Sequence, residues 1–386
     1  MEQRLKFVQR AQEEEDGLAE LCREFEVSRK TGYKWLERYQ SGGVAALQDQ
    51  SRAPHHQANA VAQERIQEVL RARELHRRWG PEKLRAWLLR KNPEKSWPSA
   101  STIGEILKRA GLTVKRSKTL WVATTPGPLL QAEQANQVWC ADFKGNFLCQ
   151  DGSRCDPLTL TDNYSRYLLR CQAVMGTDEK YARALFEAAF REYGLPQRIR
   201  TDNGTPFASV ALAGLSALSV WWIKLGIWPE RIDRGKPQQN GRHERMHRTL
   251  KEETAQPPRK TLQRQQKAFD EFRQEYNHDR PHEALEMKTP GDLYGPSCSR
   301  YPKRIRAPEY GADRRVRTVG SCGRIAWSGE RVFITKVLGN EPISLEGVSD
   351  GVWRLWFGHY PIGWLDERKM EATDLDKPPK AAKAAK

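Results

Sequence analysis

Three carboxylates could carry chemistry in this sequence, and each has an ordinary explanation when taken alone. Asp142 sits inside Val138-Trp-Cys-Ala-Asp-Phe143, among largely apolar neighbours, where an ionised carboxylate is costly to bury without a cation or hydrogen bonds. A strand-end Asp paired with Lys144, which points to the same face, accounts for it equally well. Asp202 closes the run Ile199-Arg-Thr-Asp-Asn-Gly204. Asp-Asn-Gly is a turn signal, so the turn reading leads here, although the carboxyl end of a sheet strand is also where α/β folds place ligands. Glu244 opens a helix after the loop Gly235-Lys-Pro-Gln-Gln-Asn-Gly241, with Arg248 and Lys251 at i+4 and i+7 on the same face. An exposed Glu–Arg helical pair, stabilising by about 0.2–0.5 kcal/mol, explains it alone.

Taken together the three are more specific. Carboxylates from two strand positions and a helix can converge on hard cations, which take oxygen ligands. Two such ions about 3.5–4 Å apart would activate an attacking oxygen and stabilise a leaving one in an in-line phosphoryl displacement. Arg248 and Lys251 would then face DNA phosphates. Other titratable residues fit less well. His243 and His247 flank Glu244 at i, i+4 spacing but lack a third zinc ligand, so a phosphate contact or a solvated face is expected of them. His278 and His282 suit a helix end. Asp162, in Thr161-Asp-Asn-Tyr-Ser-Arg166, rivals Asp142 as first ligand, but its place between two strands favours a hairpin turn.

The elements that must position these groups fall into segments. Residues 1–54 read as a helical bundle, with Leu18–Phe25 as one helix and Ser28 as N-cap of a second from Arg29 to Tyr39. Two helices joined by a tight turn make a helix-turn-helix, whose second helix would present Arg29, Lys30, Thr31 and Lys34 to a major groove. Residues 60–115 repeat the theme as a second helical DNA-binding module: helices over Gln63–His76 and from Pro81 to Leu89, then a third opened by a Thr102/Glu105 capping box and closed by Gly111. Residues 116–135 read as a linker. Across 136–297, strands are expected at Gln137–Phe147, Asp156–Asp162, Tyr167–Ala173 and Gln197–Thr201, with a helix over Glu179–Tyr193, in a mixed α/β sheet. A basic linker, 298–315, leads to short alternating runs over 316–370 that suggest a small β-barrel. Trp353, Trp356 and Phe357 are assigned to its core. The Pro/Ala/Lys-rich tail, 371–386, is expected to be disordered.

The three acidic blocks, Trp139-x-x-Asp142-Phe143, Thr201-Asp202-Asn203-Gly204-x-Pro206-Phe207 and Asn240-Gly241-x-x-Glu244-x5-Leu250-Lys251, resemble those of retroviral-type integrases and bacterial insertion-sequence transposases. Tyr276-Asn-x-x-Arg280-Pro-His282-x-Ala-Leu285 followed by Thr289-Pro290 is similar to the same transposases, as is Leu21-Cys-Arg-x-Phe-x-Val-Ser-Arg-Lys-Thr-Gly-Tyr33 to their helix-turn-helix. The resemblance implies a multidomain α/β chain with a ribonuclease-H-like integrase core. It implies Mg2+ or Mn2+ dependence, and 3′-end cleavage followed by strand transfer, on the terminal inverted repeats of a mobile element and on target DNA. Cutting and joining two ends implies a homo-oligomer on DNA. Three features depart from the pattern. Asp202 and Glu244 lie 42 positions apart, longer than usual, and Ser209–Ser219 accounts for the excess. A His/Cys zinc module is missing at the amino terminus, which points to the bacterial branch. Glu26 stands at the turn position where glycine is usual.

Composition agrees with a polyanionic partner. Among 386 residues, 65 Lys and Arg against 49 Asp and Glu leave a net charge of +16, and each phosphate neutralised by such residues releases condensed counterions. Seven irregularly spaced cysteines without a CxxC motif indicate neither a disulfide framework nor a zinc ribbon. No G-x-x-x-x-G-K-[ST] loop is present, so ATP hydrolysis is not expected. With no apolar run of bilayer length and no signal peptide, no membrane association and a cytoplasmic, nucleoid-associated location are expected.

Overall fold

Ser28 caps the third helix from the amino terminus, its hydroxyl accepting from Thr31 N at 3.2 Å. In the computed structural model, which describes residues 2–13, 17–49, 60–113, 129–233 and 235–379, this helix belongs to the first of two units, Met1–Gln63 and Glu64–Lys386. The first unit contains α1 (Glu2–Gln12), α2 (Leu18–Glu24) and α3 (Arg29–Gly42). Phe7, Val8, Leu21, Cys22 and Leu47 form its core. Gly32 lets α3 approach the other helices: a Cβ there would lie 2.7 Å from Cys22 Sγ and 2.9 Å from Phe7 Cζ. Glu26, in the turn between α2 and α3, takes a left-handed φ of 53°.

The second unit opens with α4 (Gln63–Leu75), α5 (Pro81–Lys91) and α6 (Ala100–Arg109). The cap of α6 is Ser99, which accepts from Thr102 N. Thr102 therefore lies inside the first turn, and the helix starts three residues earlier than the Thr102/Glu105 capping-box pattern placed it. Gly111 ends the module with a φ of +70°. Side chains of α5 and of the turn after α4 pair with acids further along the chain: Arg90 with Asp292 at 2.8 Å, Lys91 with Asp279 at 2.9 Å and His76 with Glu275 at 2.8 Å.

The central sheet is built from β1 (Val138–Phe143), β2 (Phe147–Leu148), β3 (Arg154–Asp162), β4 (Leu168–Val174), β5 (Arg198–Thr201) and β6 (Trp228–Arg231). β1 to β4 form an antiparallel set in which β3 pairs with β1, β2 and β4. β5 and β6 then add in parallel beside β1, so the sheet is mixed, as expected. The first expected strand is interrupted at Lys144-Gly145-Asn146, where Gly145 has a φ of +68°. Eight of the nine residues of β3 are buried, the signature of a strand covered on both faces. One face carries α7 (Glu179–Tyr193) and α8 (Ala217–Lys224), packed through Phe186, Phe190, Trp221 and Trp222. The other carries α9 (Gly241–Thr254) and α10 (Leu262–Gln274), through Met246, Leu250, Phe269 and Phe272. A π-turn at Glu275–Asp279 and the short α11 (Pro290–Leu293) follow.

The carboxy-terminal strands are β7 (Arg315–Thr318), β8 (Arg324–Trp327), β9 (Glu330–Phe333), β10 (Pro342–Ser349), β11 (Val352–Phe357), β12 (Tyr360–Asp366) and β13 (Glu371–Thr373). They form an open antiparallel sheet, β13-β12-β11-β10-β7, and a separate β8–β9 hairpin. No closed barrel forms among the described residues. Alternating hydropathy specifies strands but not how their edges meet. The expected tail is also corrected, because 371–373 pair with β12; residues 380–386 lie outside the described residues, as does the expected linker up to residue 128. Phe357 is buried in the core of these sheets, whereas Trp353 is only partly buried against it. Trp356 lies outside that core, with the guanidinium groups of Arg314 and Arg354 packed on its ring at 4.8 and 4.9 Å. Leu215, Val220 and Ile223 join the same core, and Ala213 N donates to Asp374 Oδ1 at 2.8 Å. The extra length of Ser209–Ser219 and the start of α8 therefore dock the carboxy-terminal sheets. Among the described residues no helix is long and apolar enough to cross a membrane.

Candidate active site

Asp142 lies near the end of β1, opposite Thr159 of β3. Asp202 follows directly on β5, the parallel neighbour of β1, and Glu244 lies in the first turn of α9. Two adjacent strand ends and one helix thus bring the three acids toward one place. Burial pushes the Asp142 carboxyl up to about 7, and the neighbouring Asp202 and Glu244 push in the same direction, against the Phe143 backbone N–H and Lys144. Two acids from distant parts of the chain are therefore near enough to oppose ionisation of the first. Among the described residues Lys144 makes no ion pair with Asp142 that would explain it in ordinary terms; the side chain beside it is the neutral imidazole of His247, whose Nδ1 is 3.6 Å from Asp142 Oδ2.

The bland readings of the other two acids meet different outcomes. Asp202 does shape its turn, its Oδ1 accepting from Gly204 N at 3.0 Å. Glu244 is exposed, and among the described residues it forms no ion pair with Arg248. Arg248 and Lys251 are likewise exposed, facing solvent from α9. No three His, Cys, Asp or Glu side chains are gathered closely enough among the described residues to make a finished metal cage. The donor set itself, all carboxylate oxygen, suits a hard divalent cation.

His243 and His247 differ most from expectation. Each is 2% exposed, so neither is a solvated residue nor a phosphate contact. His243 Nε2 and His247 Nε2 meet Thr159 Oγ1 at 2.8 and 2.6 Å, and His243 Nδ1 meets Thr161 Oγ1 at 2.7 Å. Burial lowers the His243 imidazole to about 3, and burial with the neighbouring His243 and Lys144 takes His247 well below its ordinary value; both are neutral. The one available signal was the alternation Thr159-Leu160-Thr161, which puts two hydroxyls on one face of a buried strand. Asp162 is a turn residue, its carboxylate accepting from Asn136 N at 2.7 Å, Ser165 N at 2.8 Å and Ser165 Oγ at 2.6 Å. His282 is partly buried, its ring packed edge-on against that of Tyr276 at 4.8 Å, and so serves local packing.

In the first unit, Arg29, Lys30 and Lys34 are exposed on the amino-terminal half of α3, and Thr31 is half-buried against the Ser28 cap. They share one end of one helix, on a different unit from the acids.

Models described as integrase core domain match residues 132–237 and 225–290. A helix-turn-helix domain matches 3–55, a homeodomain-like domain 31–107, and the IS481 family transposase C-terminal domain 314–373. The chain is 28% identical over 247 residues to the insertion element IS407 uncharacterized 31.7 kDa protein of Burkholderia multivorans, covering 62% of this chain and 82% of that protein. It is 28% identical over 237 residues to the insertion element IS476 uncharacterized 39.2 kDa protein of Xanthomonas euvesicatoria, covering 61% and 62%. Similar solved structures include the HTLV-2 integrase catalytic core domain in complex with magnesium, at 16% identity and a TM-score of 0.34 over 42% of this chain and 99% of that one. A simian T-cell lymphotropic virus intasome in complex with a PP2A regulatory subunit matches at 16% identity and a TM-score of 0.38, over 76% and 97%.

Proposed function

We propose that this chain, with its matches to integrase core domains and its similarity to insertion-element proteins, is a transposase that binds the terminal inverted repeats of a mobile element, cleaves their 3′ ends and transfers them to target DNA. The observation that supports this reading is the placement of Asp142 near the end of β1, of Asp202 directly after the neighbouring β5 and of Glu244 in the first turn of α9. These three residues are the proposed catalytic ligands of two Mg2+ or Mn2+ ions per site. Bound there, the ions supply charge stabilisation to the attacking and leaving oxygens of phosphoryl transfer.

The chain's own groups do the rest. Asp142 and Asp202, on adjacent strand ends, fix one side of the site, and Glu244 closes it from α9. Arg248 and Lys251, one and two turns further along, orient the phosphate backbone. Arg29, Lys30, Thr31 and Lys34 read the element end from α3, through phosphate contacts and a few base edges. The proposed division is a helix-turn-helix at 1–54, a second helical DNA-binding module at 60–115, a ribonuclease-H-like core at 136–297 and a β-domain at 316–370. Two paired ends require a homo-oligomer on DNA, without ATP or a membrane, in the nucleoid-associated cytoplasm.

A strand-transfer assay with end-containing oligonucleotides in Mg2+ or Mn2+ tests this. Joined products are expected from the wild type and none from Asp142→Asn, Asp202→Asn or Glu244→Gln. Activity that survives Asp202→Asn would overturn the catalytic assignment, and hydrolysis without joined products would reduce the function to that of a nuclease.

A further inference from the structure

One hydroxyl joins the two elements that carry the first and third acids. Thr159 faces Asp142 across the β1–β3 ladder, so both side chains leave the same face of the sheet. α9 lies on that face with His243 and His247 one turn apart. Thr159 Oγ1 contacts Asp142 O at 3.1 Å, His243 Nε2 at 2.8 Å and His247 Nε2 at 2.6 Å.

The protons can be counted. A hydroxyl has one proton to give, and the only pure acceptor among its partners is the Asp142 carbonyl. Both imidazoles therefore present N–H at Nε2 to the oxygen's lone pairs. His243 Nδ1 then accepts from the Thr161 hydroxyl at 2.7 Å, and His247 turns a bare Nδ1 toward the Asp142 carboxyl, 3.6 Å away. Every polar atom of Thr159, Thr161 and His243 is satisfied, while the Asp142 carboxylate receives no competing donor from His247. Buried at this depth, the bridge leaves α9 little freedom to slide along the sheet, and Glu244 is covalently next to His243.

We propose that Thr159 is a positioning residue, whose bridging hydroxyl sets the separation between Asp142 and Glu244 and so tunes how tightly the acidic site takes a divalent cation. This rests on the assignment of those acids as metal ligands under Proposed function. Partners that orient metal ligands from behind typically contribute about 10–100-fold in affinity, and that is the effect expected on removing the hydroxyl.

The test is Mn2+ titration of the full-length protein by calorimetry, with circular dichroism as a control for folding. Thr159→Val, which keeps the shape and loses the hydroxyl, is expected to weaken Mn2+ binding about 10–100-fold, and Thr159→Ser to restore it. Equal affinity in wild type and Thr159→Val, or failure of Thr159→Ser to rescue, overturns the proposal and leaves the metal assignment standing. A wild type that binds no Mn2+ overturns both. Should Thr159→Val not fold, 15N spectra of the wild-type histidines decide: His243 and His247 must both carry their proton on Nε2, and an Nδ1–H tautomer at His247 overturns the bridge.

Discussion

Arg200 and Glu230 face each other across the β5–β6 ladder, Nε to Oε2 at 2.6 Å, and both are almost fully buried. The main chain of Leu130 completes the pair: its N–H donates to Glu230 Oε1 at 3.2 Å and its carbonyl accepts from Arg200 at 2.6 Å. Arg200 stands two residues before Asp202, so this network fixes the strand end that presents the second acid. Glu230→Gln leaves a buried guanidinium without its counter-charge. A loss of about 3–5 kcal/mol in denaturant unfolding is expected, well beyond that of an exposed pair. An effect below about 1 kcal/mol would show that the pair is not buried in solution.

Asp142 should destabilise the metal-free protein at neutral pH. Its folded-state pKa is raised to about 7 by burial and by Asp202 and Glu244, against an ordinary carboxyl near ~3.9. The folded form therefore holds the proton more tightly than the unfolded chain. The resulting stability is full below the ordinary carboxyl range and is lost as pH rises through about 7. Asp142→Asn removes this titration, so at pH about 7.5 the metal-free variant should melt at least ~2 °C above the wild type. Adding Mn2+ should raise the wild-type melting temperature and leave the variant unmoved, by linkage to binding in the folded state alone. A variant that melts lower without metal would count against the electrostatic account.

Glu26 pays a backbone cost in the helix-turn-helix. Its φ of 53° is one that non-glycine residues adopt at a cost of about 1–2 kcal/mol, offset in a glycine variant by the greater freedom of the unfolded chain. Glu26→Gly should stabilise the first unit by about 0.5–1 kcal/mol. Slower amide exchange in α2 and α3 measures it, and faster exchange would mean that the Glu26 side chain contributes something its exposed position does not suggest.

Local signals in the sequence carried much of this structure. Glu179–Tyr193 is a helix over the same residues that its periodicity marks, and Ser28 caps where a serine before a helical run should. The acids could be placed at strand ends and a helix start because strand, turn and helix signals surround them. What was hidden depends on distant partners. The i, i+4 spacing of His243 and His247 is the same for a solvated face as for a buried one, and only Thr159 and Thr161, over eighty residues away, decide between them. The open carboxy-terminal sheet was hidden for a related reason, since strand alternation carries no information about closure. Ser209–Ser219 looked like surplus length, and only the β-sheets that dock on it reveal its use.

The module of α4 to α6 is expected to loosen when Asp292 is changed. Asp292 takes a forked contact from Arg90, at 2.8 Å for one arm, and also accepts from Thr289 N at 2.8 Å and Thr289 Oγ1 at 2.9 Å at the start of α11. The Arg90 hydrogen bond, then the Thr289 contacts, hold its carboxyl well below the usual carboxylate range. That contribution is present above the ordinary carboxyl pKa and is lost as pH falls through the lowered one. Because Arg90 is about half exposed, solvent screens the pair, and the cap carries most of the effect. Asp292→Asn should therefore cost about 1–2 kcal/mol at pH 7, read as faster amide exchange in α5 and α11 together. The gap between variant and wild type should close in strong acid. Exchange that quickens in α11 alone would show that Arg90 adds nothing to holding the module against the core.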